Sequence, residues 1–399
     1  MEDVIVIGAG PAGNNAALRL ATLGHRVTVI DRRPQSEIGD KLCTGIVSAA
    51  CAREYPVDAS LVYQPAFSAT ISSPQGHQFH FAGDQAQAYI INRVGYVSSI
   101  ADRAHSAGAS FIYGYTVTEI QTSTDQVTVT MTKNSHSYKQ HAKSVVVASG
   151  FGPGLTRPLG LDSVSDYVTG IQVQVETPAV REVHVHCGSY FSPGFFAWIV
   201  PTSNGRALVG LLSRHHAFQH LERLLTKLRT DGQITEAISE PKQWGVPLRP
   251  LAKTYGHRLL VVGDAAGQVK PITGGGIFYS LLASDIAADT LHRACEYDDF
   301  SEEFLSDYQR RWKHILQNEL DVGYNARKLF EQLSDKQINL LMHVAGRTGI
   351  LQGLLKLKSV DFDWHSGSVL KLLGHPAIGS FLGLISPLWT KLSRDSMSK

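Results

Sequence analysis

Cysteine is scarce in these 399 residues, and the little there is lies scattered. Cys43, Cys51, Cys187 and Cys295 form no C-x-x-C pair, which argues against a structural zinc site, an iron–sulfur cluster and a secreted disulfide framework. Charged residues are also sparse at 18%, yet 43% are hydrophobic, so the chain can bury a sizeable core. A formal net charge of +2 and the lack of a dense Lys/Arg block leave no electrostatic footprint for nucleic acid. The chain opens Met1-Glu2-Asp3 and enters an apolar strand at once, without the basic and apolar regions of a signal peptide. The expected location is therefore cytoplasmic. No charge-free apolar run reaches the length of a spanning helix. The nearest, Leu372 to Trp389, has Lys371 at its border and His375 and two prolines inside it, which leaves room for contact with a membrane surface but not for a span. The 17 histidines supply no convincing ligand cluster, and His215-His216 and His184-x-His186 read as surface or strand histidines. No metal is expected.

At roughly 150 residues per domain, the length predicts two or three domains. Val4-Ile5-Val6-Ile7 is the continuous apolar run of a buried parallel strand. Pro11 to Leu23 reads as a helix packed through Ala12, Gly13, Ala16 and Ala17, with Gly24 as its stop, and Arg26 to Ile30 as the second strand. Phe67 to Phe81 looks like paired strands around Pro74-Gln75-Gly76, and Val94 to Ala107 like a helix closed by Gly108. Ser110 to Val147 alternates with period two and predicts a meander ending in an apolar strand, Ser144 to Ala148. Strands follow over Tyr167 to Leu212 and Arg258 to Val262, and helices from Ile277 to Cys295 and from Phe300 onward. The expected fold class is α/β: a Rossmann-like domain in discontinuous segments, an inserted β-rich domain and a C-terminal helical region. We place the first at 1–66, 82–165 and 250–299, the second at 67–81 and 166–249, and the third at 300–399.

Two motifs carry chemistry. Gly8-Ala9-Gly10-Pro11-Ala12-Gly13 fits G-x-G-x-x-G between a strand and a helix. Gly8 permits the tight turn, Gly10 lets the backbone approach a pyrophosphate, Gly13 allows close packing, and the helix N-terminus faces the anion. Asp31, 23 residues after Gly8, stands where a carboxylate can hold ribose hydroxyls. The second is Val261-Val262-Gly263-Asp264-Ala265-Ala266-Gly267, followed by Thr273-Gly274-Gly275-Gly276-Ile277. There a strand ends in an acid able to bind a ribityl or ribose hydroxyl, and a glycine run opens a helix whose amides suit a flavin pyrimidine edge.

The pairing of GAGPAG with GDAAGQVKPITGGGI resembles the flavoprotein superfamily typified by aromatic hydroxylases and, within it, the geranylgeranyl reductase family. Lys41-Leu42-Cys43-Thr44-Gly45-Ile46-Val47-Ser48 resembles that family's Cys-Thr-Gly or Cys-Gly-Gly segment beside the flavin. Phe196-Ala197-Trp198-Ile199-Val200-Pro201, with Gly210 downstream, resembles its isoprenoid-lining aromatic box; Val200 and Leu212 replace the usual Phe and second Gly. Asn92-Arg93 is similar to its FAD-contacting arginine, whereas Ser149-Gly150 stands where many relatives carry Asp-Gly. The resemblance covers roughly residues 1–295.

What it implies is an FAD-dependent reductase that saturates isolated double bonds of a polyprenyl chain. Cys43 and Trp198 would be catalytic, with Phe196, Trp198 and Pro201 against substrate. The cofactor set would be Gly8, Gly10, Ala12, Gly13, Asp31, Cys43, Thr44, Gly45, Arg93, Val117, Asp264, Gly274, Gly275, Gly276 and Ile277. NAD(P)H or a ferredoxin would supply electrons, and an isoprenoid lipid would be the substrate, with peripheral membrane contact at the inner face left open. Bland readings stand beside these: Cys43 as a buried hydrophobe, Phe196 and Trp198 as strand core, Arg93 as a surface ion-pair residue. The helical tail, with Leu354-Leu355 and Phe381 to Leu388, reads equally as a cap over the sheet. A monooxygenase or halogenase of the same superfamily, a quinone-linked dehydrogenase and a non-enzymatic flavin or lipid carrier are the rival functions.

Overall fold

The structure, a computed structural model, describes residues 1–152, 154–347 and 362–374. The tail segments Leu354-Leu355 and Phe381 to Leu388, and most of Leu372 to Trp389, lie outside the described residues. Two compact units are seen. One comprises Met1–Lys41, Asn92–Tyr167 and Gly245–Asn318; the other comprises Leu42–Ile91, Val168–Trp244 and what is described of Glu319–Lys399.

The first unit is built on a parallel sheet in the order Leu259–Val261, His136–Val147, Glu2–Ile7, Val27–Asp31, Ser110–Tyr113. Its central strands are apolar on both faces because both are covered. Ile5, Ile7, Val145, Val147, Leu259 and Val261 join one buried cluster with Ile120, Val127, Val129 and Met131 of the meander Thr116–Thr122, Val127–Lys133, His136–Val147. Val4, Val6, Val146 and Leu260, of opposite parity, are equally buried. The helix Pro11–Thr22 starts on an extended Gly10 with Pro11 in its first turn and stops at Gly24, whose φ is +86°. Its small face permits close approach to the helix Ile277–Tyr297, and there Asn15 donates to Ser284 (2.9 Å) and Asp285 (2.8 Å). Asn92 caps the helix Arg93–Ser106 by accepting the Gly95 N–H at 3.0 Å.

The second unit holds a mostly antiparallel sheet in which Tyr167–Glu176, Arg206–Ser213, Phe196–Pro201, Val183–Cys187, Ser68–Ser72 and Gln78–Ala82 lie side by side. The Val183–Cys187 and Ser68–Ser72 strands pair in parallel. A smaller sheet joins Ile46–Ser48, Ala88–Ile91 and Val62–Ala66. The helix Ala217–Thr230 lays Leu221, Leu224, Leu225 and Leu228 on one face of the larger sheet, over Ile171, Val173, Ala197, Ile199, Val209 and Leu211. Burying each leucine contributes about 1.5–3 kcal/mol. Period-two alternation turns Gln172, Phe196, Trp198 and Gly210 to the opposite face.

Among the described residues, no helix is long and apolar enough to cross a membrane.

Candidate active site

In the first unit, three glycines do different work. Gly8 has φ +106°, and a Cβ there would run into the Ala148 carbonyl; one on Gly13 would overlap the Gly8 carbonyl. A Cβ on Gly10 would meet nothing within 4 Å. Two glycines thus seal the turn while the third leaves the backbone open to approach, at a helix end that no side chain caps. Ala12 is buried behind them. Asp31 closes the second strand with its carboxylate fixed by the Ala9 N–H (2.7 Å) and the Arg33 N–H (2.8 Å), and further lone pairs remain to accept hydroxyls.

The Asp264 turn is locked from behind. The Gly263 N–H donates to Gln268 Oε1 (2.8 Å), Gln268 Nε2 donates to the Tyr308 hydroxyl (2.9 Å), and that hydroxyl donates to the Val261 carbonyl (2.8 Å). Tyr308 is fully buried, and burial raises its phenol further above the ordinary range, so it stays a neutral donor. One oxygen of Asp264 takes the Lys41 ammonium; the other lies so close to Gly276 that a Cβ there would come within 2.9 Å. Gly274 has φ +72° and donates to the Lys270 carbonyl at 2.9 Å, and Gly275 leads on through Gly276 to Ile277, the first residue of a helix without a side-chain cap. Arg93 donates to the carbonyls of Gly39 and of Lys41 (the latter at 3.0 Å), and its Nε is buried without a partner. It therefore clamps the turn that presents Lys41. A cation, a carboxylate and the positive end of a helix converge here.

In the second unit, Cys43-Thr44-Gly45 is a tight turn held on several sides. Gly45 has φ +71°, its carbonyl accepts the Ile91 N–H at 2.9 Å, and a Cβ on it would come 2.5 Å from the Ile91 carbonyl. Cys43 Sγ accepts the Gly45 N–H at 3.4 Å and Thr44 Oγ1 the Ile46 N–H at 3.5 Å. The carbonyl of Cys43 accepts Gln172 Nε2 (3.4 Å), and Gln172 Oε1 accepts the Trp198 indole N–H (3.3 Å). Trp198 is only 5% exposed and lies across Gly210, where a Cβ would sit 2.6 Å from Cζ2. Phe196 tilts at 56° to the indole with ring centroids 6.0 Å apart, and Pro201 is buried at the strand's end.

The structure thus gathers Gly8, Gly10, Ala12, Gly13, Asp31, Arg93, Asp264 and Gly274 to Ile277 in one unit, and Cys43 to Gly45, Phe196, Trp198 and Pro201 in the other. Val117 lies on the Thr116–Thr122 strand, packed against the buried meander cluster. Sequence reasoning assigned nothing to Lys41 or Gln172. Lys41 had a signal, since it heads the Cys43 segment. Gln172 had none of its own, since Ile171-Gln172-Val173-Gln174-Val175 alternates as an ordinary half-buried strand does.

Residues 2–177 match the pyridine nucleotide-disulphide oxidoreductase family. The chain is 30% identical over 368 residues to a digeranylgeranylglycerophospholipid reductase of Methanocaldococcus jannaschii, covering 87% of this chain and 91% of that protein. It is 31% identical to digeranylgeranylglycerophospholipid reductase 2 of Methanopyrus kandleri, with 88% and 92% covered. Its fold matches the crystal structure of a geranylgeranyl bacteriochlorophyll reductase-like protein from Thermoplasma acidophilum, with a TM-score of 0.83, 23% identity and coverage of 96% and 99%. On this evidence the chain belongs to the digeranylgeranylglycerophospholipid reductase family of FAD-dependent oxidoreductases.

Proposed function

We propose that this protein saturates isolated carbon–carbon double bonds in a geranylgeranyl-type chain carried on a lipid or lipid precursor. The observation that carries the reading is the buried chain Trp198–Gln172–Cys43, with Phe196 alongside, which puts an aromatic wall and a thiol-bearing turn on one rigid support.

The first unit fits FAD. The clear approach over Gly10, with Gly8 and Gly13 unable to carry a side chain, suits a pyrophosphate, and Asp31 suits the adenosine ribose. Asp264 would hold a ribityl hydroxyl, and Gly274, Gly275, Gly276 and Ile277 would meet the pyrimidine edge, where Lys41 and the helix end favour negative charge. Arg93 and Val117 complete the proposed cofactor set within this unit. When bound and reduced, FAD supplies the hydride.

An unactivated alkene has no carbonyl to absorb charge, so its surroundings must tolerate carbocation character. The faces of Trp198 and Phe196 can stabilise that charge, and a closed site would keep water from trapping it. The proton for the second carbon comes from the Cys43 thiol or from a bound water. Electrons come from a transiently bound NAD(P)H or from a reduced ferredoxin, and a lipid or lipid-precursor substrate is compatible with a cytoplasmic enzyme in peripheral contact with the inner face of a membrane.

The test is anaerobic incubation of the chemically reduced holoprotein with geranylgeranyl glycerolipids, followed by mass spectrometry. Prenyl chains should gain pairs of hydrogens. Flavin reoxidation without any such gain overturns the reading.

A further inference from the structure

We propose that Gln172 is a positioning residue that fixes the Trp198 indole and the Cys43 turn as one assembly. The inference rests on the prenyl-reductase reading for its function, but its geometry stands alone. Gln172 is 4% exposed, so its amide has no water to fall back on. An indole N–H can only donate and a main-chain carbonyl can only accept. Oε1 must therefore face Trp198 (3.3 Å) and Nε2 must face Cys43 (3.4 Å), so both partners demand the same amide orientation.

The sheet register makes the arrangement possible. Gln172 and Trp198 both pair with Gly210, from the strands on either side of it. Only a residue without a side chain at that middle position lets the indole lie across the strand far enough to reach the glutamine. A Cβ on Gly210 would come 2.6 Å and 2.8 Å from two indole carbons. On its other side Gln172 holds Cys43 by the main chain, which leaves the thiol free of the bond. Gly45, pinned to Ile91, fixes the far end of the same turn. Indole plane and thiol thus share one reference point, the buried Gln172 amide.

Either neighbour should feel the loss of the link. Gln172→Met keeps the shape and removes both hydrogen bonds. Gln172→Glu keeps the acceptor for Trp198 but sets an oxygen against the Cys43 carbonyl. Trp198→Phe removes the donor on the far side and leaves Cys43 chemically untouched.

The experiment measures the alkylation rate of Cys43 by iodoacetamide with peptide mass spectrometry, in the FAD-loaded protein and these three variants. Cys51, 1% exposed, monitors the fold by staying unmodified. We expect Gln172→Met and Gln172→Glu to change the Cys43 rate about tenfold and Trp198→Phe to change it several-fold. The Gln172→Met/Trp198→Phe double variant should go no further than Gln172→Met. Flavin content should stay at the wild-type level while turnover of prenyl lipid falls mainly in kcat. A Cys43 rate within twofold of wild type in both Gln172→Glu and Trp198→Phe overturns the proposal, as does simple multiplication of the single effects in the double variant. Failure of the parent reading looks different: the alkylation coupling persists, but the wild-type protein adds no hydrogen to prenyl chains.

Discussion

Adding one methyl group at Gly210 should dismantle the seat of Trp198. The backbone there would tolerate alanine, so the cost is steric. The new Cβ would sit 2.6 Å from the indole and 2.5 Å from the Ile171 carbonyl. An ordinary contact begins near 3.4 Å, so the indole must retreat by about 0.8 Å, and the Ile171 carbonyl blocks relief in the other direction. The Trp198–Gln172 hydrogen bond is already 3.3 Å long and does not survive such a shift. Overpacking of this kind costs about 1–3 kcal/mol, and the lost hydrogen bond adds about 1 kcal/mol. With a urea slope of about 3 kcal/mol per molar, Gly210→Ala should lower the unfolding midpoint by roughly 1 M and cut turnover while retaining FAD. In the Trp198→Phe background, where the clashing indole atoms are gone, the same change should cost clearly less. Equal costs in the two backgrounds would refute the seat.

Further expectations come from other parts of the molecule. Gly13→Ala, whose methyl overlaps the Gly8 carbonyl, should yield protein without FAD, read from the flavin absorbance of the purified protein. Asp264→Ala should likewise lose FAD, whereas Trp198→Ala should keep it and lose turnover; full activity in Trp198→Ala removes the aromatic wall from the account. Burial pushes the His186 imidazole down to about 4, from 6.5, and its Nε2 finds no partner. The unfolded chain takes up that proton more readily, so the stability from a neutral His186 is complete above pH 6.5 and is lost as pH falls through about 4. The loss is on the order of 3 kcal/mol, and His186→Leu should flatten the urea midpoint across pH 4–7.

The βαβ unit was legible because each of its signals is local. An apolar run marks the strand, Pro11 and Gly24 bracket the helix, and Asp31 falls at the next strand's end. The antiparallel strands from Thr116 to Val147 and the Gly263-Asp264 turn were legible for the same reason. Ser110–Tyr113, read as the start of that meander, instead pairs in parallel with Val27–Asp31, a distant partner that local alternation cannot show. The helix Ala217–Thr230 was missed even though its leucines recur at helical spacing, for it follows a long run of strands. The parallel pairing of Ser68–Ser72 with Val183–Cys187 joins segments more than a hundred residues apart and leaves no local trace. Lys41 with Asp264, 223 residues apart, and Gln172 with Cys43, 129 apart, belong to the same class. Their chemistry exists only once the sheets have formed. Asp264 and Cys43 stood out through the glycine turns around them, whereas Lys41 and Gln172, in plainer backbone, gain a role only through those distant partners.

The most direct test of the central claim is a single turnover under strict exclusion of oxygen, following flavin absorbance and prenyl mass together. The account predicts that polyprenyl lipid alone reoxidises the reduced flavin, with one double bond saturated per flavin. A flavin that stays reduced with lipid present and oxidises only when oxygen is admitted would contradict it.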